Sequence, residues 1–163
     1  MPITRMNHAV LYVRDAQRSV SFYEEVLGFR EVIHDDLNRF AFLRAPGSAN
    51  HHDLALFSVG AGAAPSSAGR GTVGLYHLAW EVPTLQELEE MRERLDQAGA
   101  LIGASDHGVN KSLYARDLDG IEFEVMWLTP PSEWGDEEDQ AIIRPLDLEG
   151  DKARFGAETV SRS

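Results

Sequence analysis

A short apolar strand opened by a histidine, running straight into an amphipathic helix, occurs twice in these 163 residues. The first copy is Asn7-His8-Ala9-Val10-Leu11-Tyr12-Val13 and the second Tyr76-His77-Leu78-Ala79-Trp80-Glu81-Val82. Asp15 is placed to cap the first helix and Gly28 to stop it, with Val20, Tyr23 and Leu27 recurring on one face. The second helix opens on Thr84-Leu85-Gln86-Glu87, a capping box, carries Leu88, Met91 and Leu95 as its stripe, and closes at Gly99. Three strand-like runs follow each helix. In the first half they are 29–33, 38–43 and 53–57; in the second they are 100–102, 111–115 and 121–128. His8 and His77 lie 69 positions apart, and Phe57 and Trp127 70 apart, so the copies keep nearly constant register. The expectation is an α+β fold of two βαβββ modules forming a curved, cup-like mixed sheet around a metal site. The modules should span residues 1–60 and 73–129. A flexible linker over 61–72 joins them, and an acidic C-terminal extension over 130–163 follows. That extension carries Trp134, Ile142, Ile143, Leu146 and Leu148, too many apolar groups for a wholly disordered tail.

Strand alternation sorts the side chains. On the last strand Ile121, Phe123 and Val125 share an apolar face, which should pack on the helices. Glu122, Glu124 and Met126 share the other, which should look into the cup. Aligning Phe57 with Trp127 sets Leu54 opposite Glu124 and His52 opposite Glu122, so His52 should face inward too. A single histidine at a strand start is ordinarily structural. Two at equivalent positions, with Glu124 alternating inward, can instead hold a divalent metal and leave coordination positions open. His8, His77 and Glu124 are the candidate ligands. Tyr114 reads equally as a core aromatic or as a hydroxyl at the edge of the site.

Charge and composition remove several function classes. The net charge of −12, from 27 acidic and 15 basic side chains, disfavours nucleic acid and anionic membrane surfaces as partners. Without cysteine there is neither a disulfide nor a thiolate ligand. No charged leader followed by an apolar run is visible at the N-terminus, and no apolar stretch reaches the roughly 20 residues of a membrane span. The expected location is the cytoplasm.

Over about residues 4–128 the chain resembles the vicinal oxygen chelate superfamily of glyoxalases, bleomycin-resistance proteins and extradiol dioxygenases. The resemblance is carried by Asn7 to Asp15, Ser21 to Phe29, Leu75 to Val82 and Tyr114 to Glu124. Within that group it is most similar to ring-cleaving extradiol dioxygenases of the Fe(II) type. Two strand-opening histidines and a final-strand glutamate are the metal ligands there, and His8, His77 and Glu124 match them. The resemblance implies His52, in His52-Asp53-Leu54-Ala55-Leu56, as the acid–base histidine. It implies Tyr114, ten residues before Glu124, as a second-shell tyrosine, and His107, before Gly108, as a further active-site histidine.

The implied cofactor is Fe(II), with Mn(II), Zn(II) or Ni(II) as other ions for such a set. The implied substrate is a small aromatic or vicinal-oxygen compound consumed with O2, and the implied assembly a homodimer or higher homo-oligomer. Two departures are the two modules in place of four and Leu118 in place of the usual turn proline. The competing readings are a glyoxalase- or epimerase-like isomerase or lyase, and a non-enzymatic binding protein of the bleomycin-resistance kind.

Overall fold

The computed structural model describes residues 2–69 and 71–162, which form two units, Met1–Ser66 and Ser67–Ser163. The division falls in the small-residue stretch between the two copies. Unit 1 runs β1 (Ala9–Val13), α1 (Ala16–Leu27), β2 (Arg30–His34), β3 (Phe40–Arg44) and β4 (Leu54–Ser58). Unit 2 repeats it as β5 (Leu78–Glu81), α2 (Leu85–Gln97), β6 (Leu101–Asp106), β7 (Asn110–Arg116) and β8 (Glu122–Leu128). Each unit is an α+β layer pair with one four-stranded mixed sheet, ordered β1-β4-β3-β2 and β5-β8-β7-β6. The first and last strands of each copy pair in parallel, and the others are antiparallel. The duplication extends to an irregularity, since β2 slips register between Glu31 and Ile33 and β6 between Leu101 and Gly103.

Local chemistry explains where the helices start and stop. The Asp15 carboxylate accepts from the Arg18 amide at 2.9 Å, and Gly28 ends α1 with φ 77°, a left-handed turn that costs glycine little. Thr84 accepts from the Glu87 amide at 3.2 Å. The Glu87 carboxylate takes the Thr84 hydroxyl at 3.0 Å instead of the backbone N–H that a capping box would give it. Behind each sheet the helix stripe packs on alternate strand residues. Val20, Tyr23 and Leu27 are buried with Leu11, Val13, Leu43, Leu54 and Leu56; Leu88, Met91 and Leu95 are buried with Leu113, Ala115, Phe123, Val125 and Trp127.

The β6–β7 hairpin is longer than expected. β6 continues past Ile102 to Asp106, because Ser105 and Asp106 pair with Ser112 and Lys111 across a hairpin. Residues 130–162 pack on the rest of unit 2. Two 3-10 turns, Pro131–Glu133 and Gly135–Glu137, lead to α3 (Leu148–Phe155), and Phe155 packs on Trp127 with ring centroids 5.6 Å apart. The Trp127 indole N–H donates to the Thr159 carbonyl at 3.0 Å, so this ring is core and does not line a site.

The extension also closes a buried ion cluster at the β6–β7 hairpin. Lys111, only 1% exposed, lies on the helix-side face beside Trp127, with Nζ 2.6 Å from the Asp106 carboxylate and 3.5 Å from that of Asp151. Arg144 reaches the other Asp106 oxygen at 2.6 Å and Glu137 at 2.9 Å. Burial works against ionisation of Asp106, but hydrogen bonds from Lys111 and Arg144 outweigh it and hold the carboxyl below its ordinary value. Burial pushes Asp151 the opposite way, up, against the pull of Lys111.

Removing one member of a buried pair leaves an uncompensated charge, so Asp106→Asn should lower unfolding free energy in urea by roughly 3 kcal/mol near neutral pH. Because the folded carboxyl titrates below its unfolded value of about 3.9, its stabilisation is complete above that pH and drains away as pH falls through the folded value. Urea titrations at descending pH should therefore show wild type and variant converging below about pH 4; a constant gap would contradict the ionic account.

Candidate functional site

On the sheet of unit 2, the face turned away from α2 carries the polar residues. β7 and β8 pair so that Tyr114 stands opposite Glu124, which explains their ten-residue spacing through the hairpin turn at Asp117–Gly120. β5 pairs in parallel on the other side of β8, with Ala79 opposite Glu124, and His77 immediately precedes that strand. The His77 Nε2 atom lies 3.0 Å from the Glu124 Oε2 atom, and Glu124 is 7% exposed. Two adjacent ligands of an octahedral ion, with bonds of about 2.1 Å, stand about 3.0 Å apart. The pair therefore has the donor types and spacing for a divalent cation, and equally the spacing of a histidine–carboxylate hydrogen bond. His77 Nδ1 is buried with no hydrogen-bond partner among the described residues, so Glu124 is the partner that orients the ring.

Around this pair stand a phenol, an amide and a second imidazole. The Asn110 amide donates to the free Glu124 oxygen at 3.4 Å and to the buried Ser112 hydroxyl at 2.7 Å. The Tyr114 ring is 5.8 Å from the His77 ring. Burial, with Glu124 next in strength, raises the Tyr114 hydroxyl above its ordinary value, and a hydrogen bond from Ser112 opposes them. His107 Nε2 is 2.8 Å from the Tyr114 oxygen, and its Nδ1 is 2.7 Å from the Ile142 carbonyl.

In unit 1 the other two histidines come together. His8 is exposed, and its Nδ1 lies 2.9 Å from the Asn7 side-chain oxygen. An amide oxygen only accepts, so Nδ1 carries the proton and Nε2 keeps a lone pair able to bind a metal. Asn7 is in turn tied to Asn50, and Asn50 to the buried Asp53 carboxylate at 2.7 Å. Burial resists ionisation of Asp53, but hydrogen bonds from Ser48, Ala45 and Asn50 prevail and lower it. The His52 ring is 4.5 Å from that of His8 and stacks on Phe42 at 4.8 Å. Burial, then His8 and His51, lower the His52 imidazole below its ordinary value, which favours a neutral base.

The repeat alignment needs a correction of one residue. Ala9 pairs with Leu54 and Leu78 with Phe123, so Leu54 corresponds to Phe123, and Ala55 corresponds to Glu124. Leu54 is a helix-side core residue, fully buried; the unit 1 counterpart of the carboxylate is the small apolar Ala55. His52 is also not placed by strand alternation. It precedes β4 in a bend, and that bend turns its ring onto Phe42. Of the six predicted residues, the structure joins His77 with Glu124 and Tyr114, Tyr114 with His107, and His8 with His52. Among the described residues no group of three or more His, Asp or Glu is arranged to hold a metal ion. Glu122 makes an ion pair with Arg116 at 3.3 Å. Asn110 and Ser112 were missed, although the period-two run Asn110, Ser112, Tyr114 between Lys111, Leu113 and Ala115 carries the signal that they share a face.

Comparison with known proteins follows the same lines. A family model described as the Glyoxalase/Bleomycin resistance protein/Dioxygenase superfamily matches residues 5–125. A catechol-2,3-dioxygenase of Bacillus subtilis (strain 168) is 33% identical over 150 residues, covering 90% of this chain and 50% of that protein. A biphenyl-2,3-diol 1,2-dioxygenase 3 of Rhodococcus globerulus is 33% identical over 132 residues, 79% of this chain and 67% of that one. The chain thus spans about half the length of the first relative. Among solved structures, a glyoxylase/bleomycin resistance protein/dioxygenase domain from Frankia sp. EAN1pec superposes with TM-score 0.66 at 27% identity, covering 80% of this chain and 96% of that one. No described helix is long and apolar enough to cross a membrane. With that family model matching residues 5–125, most of its length, the chain belongs to the glyoxalase, bleomycin-resistance and dioxygenase superfamily.

Proposed function

We propose that the protein is a metal-dependent dioxygenase of the extradiol type, opening the ring of a small catechol-like substrate with O2. The observation that carries this reading is the His77–Glu124 pair, an imidazole nitrogen and a carboxylate oxygen 3.0 Å apart beside the Tyr114 phenol. The dioxygenase names of the 33% identical relatives support the same direction.

His77, Glu124 and His8 are the proposed metal ligands, His8 entering through Nε2. Two imidazoles and a carboxylate suit Fe(II) first, and also accept Mn(II), Zn(II) or Ni(II). A redox-active ion bound there supplies dioxygen activation and open positions for a chelating diol. The chain's own groups handle protons and orientation. His52, favoured as the neutral imidazole, takes a proton from the diol and returns it later. Phe42, stacked on His52, presents an aromatic surface to a ring. The Tyr114 oxygen hydrogen-bonds a substrate oxygen group, and His107 stands behind it. Asn110 holds the Glu124 oxygen that faces away from His77. A homo-oligomer in the cytoplasm belongs to this reading as well.

Anaerobic loading with Fe(II), followed by an aerobic screen of catechols, tests the assignment. The expected result is consumption of O2 with appearance of a yellow ring-opened product; iron binding with no diol consumed would remove the dioxygenase reading in favour of an isomerase or lyase. Glu124→Gln should lower bound iron by at least about 10-fold, measured by metal analysis. His52→Phe should keep its iron and lose about 100- to 10,000-fold in kcat. Loss of iron in His52→Phe would mean that the ligand and base assignments are wrong.

A further inference from the structure

The C-terminal extension does more than cover unit 2. Asp106 and Arg144 form a two-way backbone bridge, N–H to O at 2.9 and 3.0 Å, and their side chains pair at 2.6 Å. This ties residues 137–144 across the tip of the β6–β7 hairpin. The fit there is tight: Gly108 has φ 80°, and a Cβ at that position would meet Glu137 at 2.7 Å and Ile142 at 3.1 Å. Beside this contact the Ile142 carbonyl is 2.7 Å from His107 Nδ1.

A carbonyl oxygen has no proton to give, so His107 must donate through Nδ1. In the neutral ring Nε2 is then a bare acceptor, 2.8 Å from the Tyr114 oxygen, and the one phenolic proton is committed to it. Donors therefore run in one direction, from Tyr114 through His107 to the main chain of the extension.

We infer that the Arg144-anchored strap is a positioning element. It holds His107 as the Nδ1–H tautomer through the Ile142 carbonyl, so that Tyr114 presents only lone pairs beside His77 and Glu124. The ligand group received by Tyr114 is then a hydrogen-bond donor, a hydroxyl that still carries its proton, and not a carbonyl or a fully ionised diol. The catalytic meaning rests on the reading given above, but the tautomer does not.

Long-range proton–nitrogen NMR of the full-length, 15N-histidine-labelled chain decides it. Spectra are recorded with and without Zn(II), at a pH where histidines are neutral, and His107→Gln identifies the signal. The expected result is a pyrrole-type Nδ1 and a pyridine-type Nε2 at His107. Arg144→Met should convert His107 toward the Nε2–H form and, in the iron-loaded enzyme, cost about 10- to 100-fold in kcat with iron content retained. Arg144→Lys, which keeps the charge at Asp106, should recover most of both. A wild-type His107 in the Nε2–H form overturns the inference, and so does an Arg144→Met spectrum identical to wild type. Should Arg144→Met fail to fold, the wild-type tautomer still decides. A chain with the Nδ1–H tautomer that turns over no catechol would reject the enzyme reading and leave the strap standing.

Discussion

The pairing of β7 with β8 is the constraint on which the second unit is organised. In that register Phe123, Val125 and Trp127 lie with Leu113, Ala115 and Lys111 on the helix side, and burying this face commits the register. A slip of one residue would send Glu124 into the core and Trp127 to the other face. The hydrophobic effect therefore fixes the place of the polar group: the carboxylate is held because its neighbours on either side are buried. Tyr114, Ser112 and Asn110 follow on the adjacent strand by the same alternation, and His77 follows from the parallel pairing of β5.

The first unit uses the same scaffold with different side chains. Ala55 stands where Glu124 stands in the second, and Phe40, Phe42 and Phe57 occupy the corresponding face with the His8–His52 pair at its end. One copy thus offers an acidic, hydrogen-bonding surface and the other an aromatic one with imidazoles.

Helix caps, the order of elements along each copy and the faces of β8 were legible because each depends on a local period or a single capping side chain, as with Asp15, Thr84 and the Ile121–Met126 alternation. The pairing of Leu54 with Glu124 failed by one residue because aligning the aromatics Phe57 and Trp127 ignores the pleat, whereas the parallel ladder reads it directly. His52 reaches its position through a bend, which no periodicity encodes. Lys111 resembles any surface lysine in sequence. Its burial follows from Asp106, Asp151 and the returning α3, contacts distant in the chain. The link from Ile142 to His107 spans 35 residues and uses a main-chain carbonyl, so no side-chain pattern announces it.

The proposed function rests on a cation held by the imidazoles of His8 and His77 together with Glu124. X-ray absorption at the iron edge of the Fe(II)-loaded protein counts those imidazoles directly. The account predicts two in wild type, and in His8→Ala either one or a loss of iron. Two imidazoles persisting in His8→Ala at undiminished iron content, or none in wild type, would contradict it.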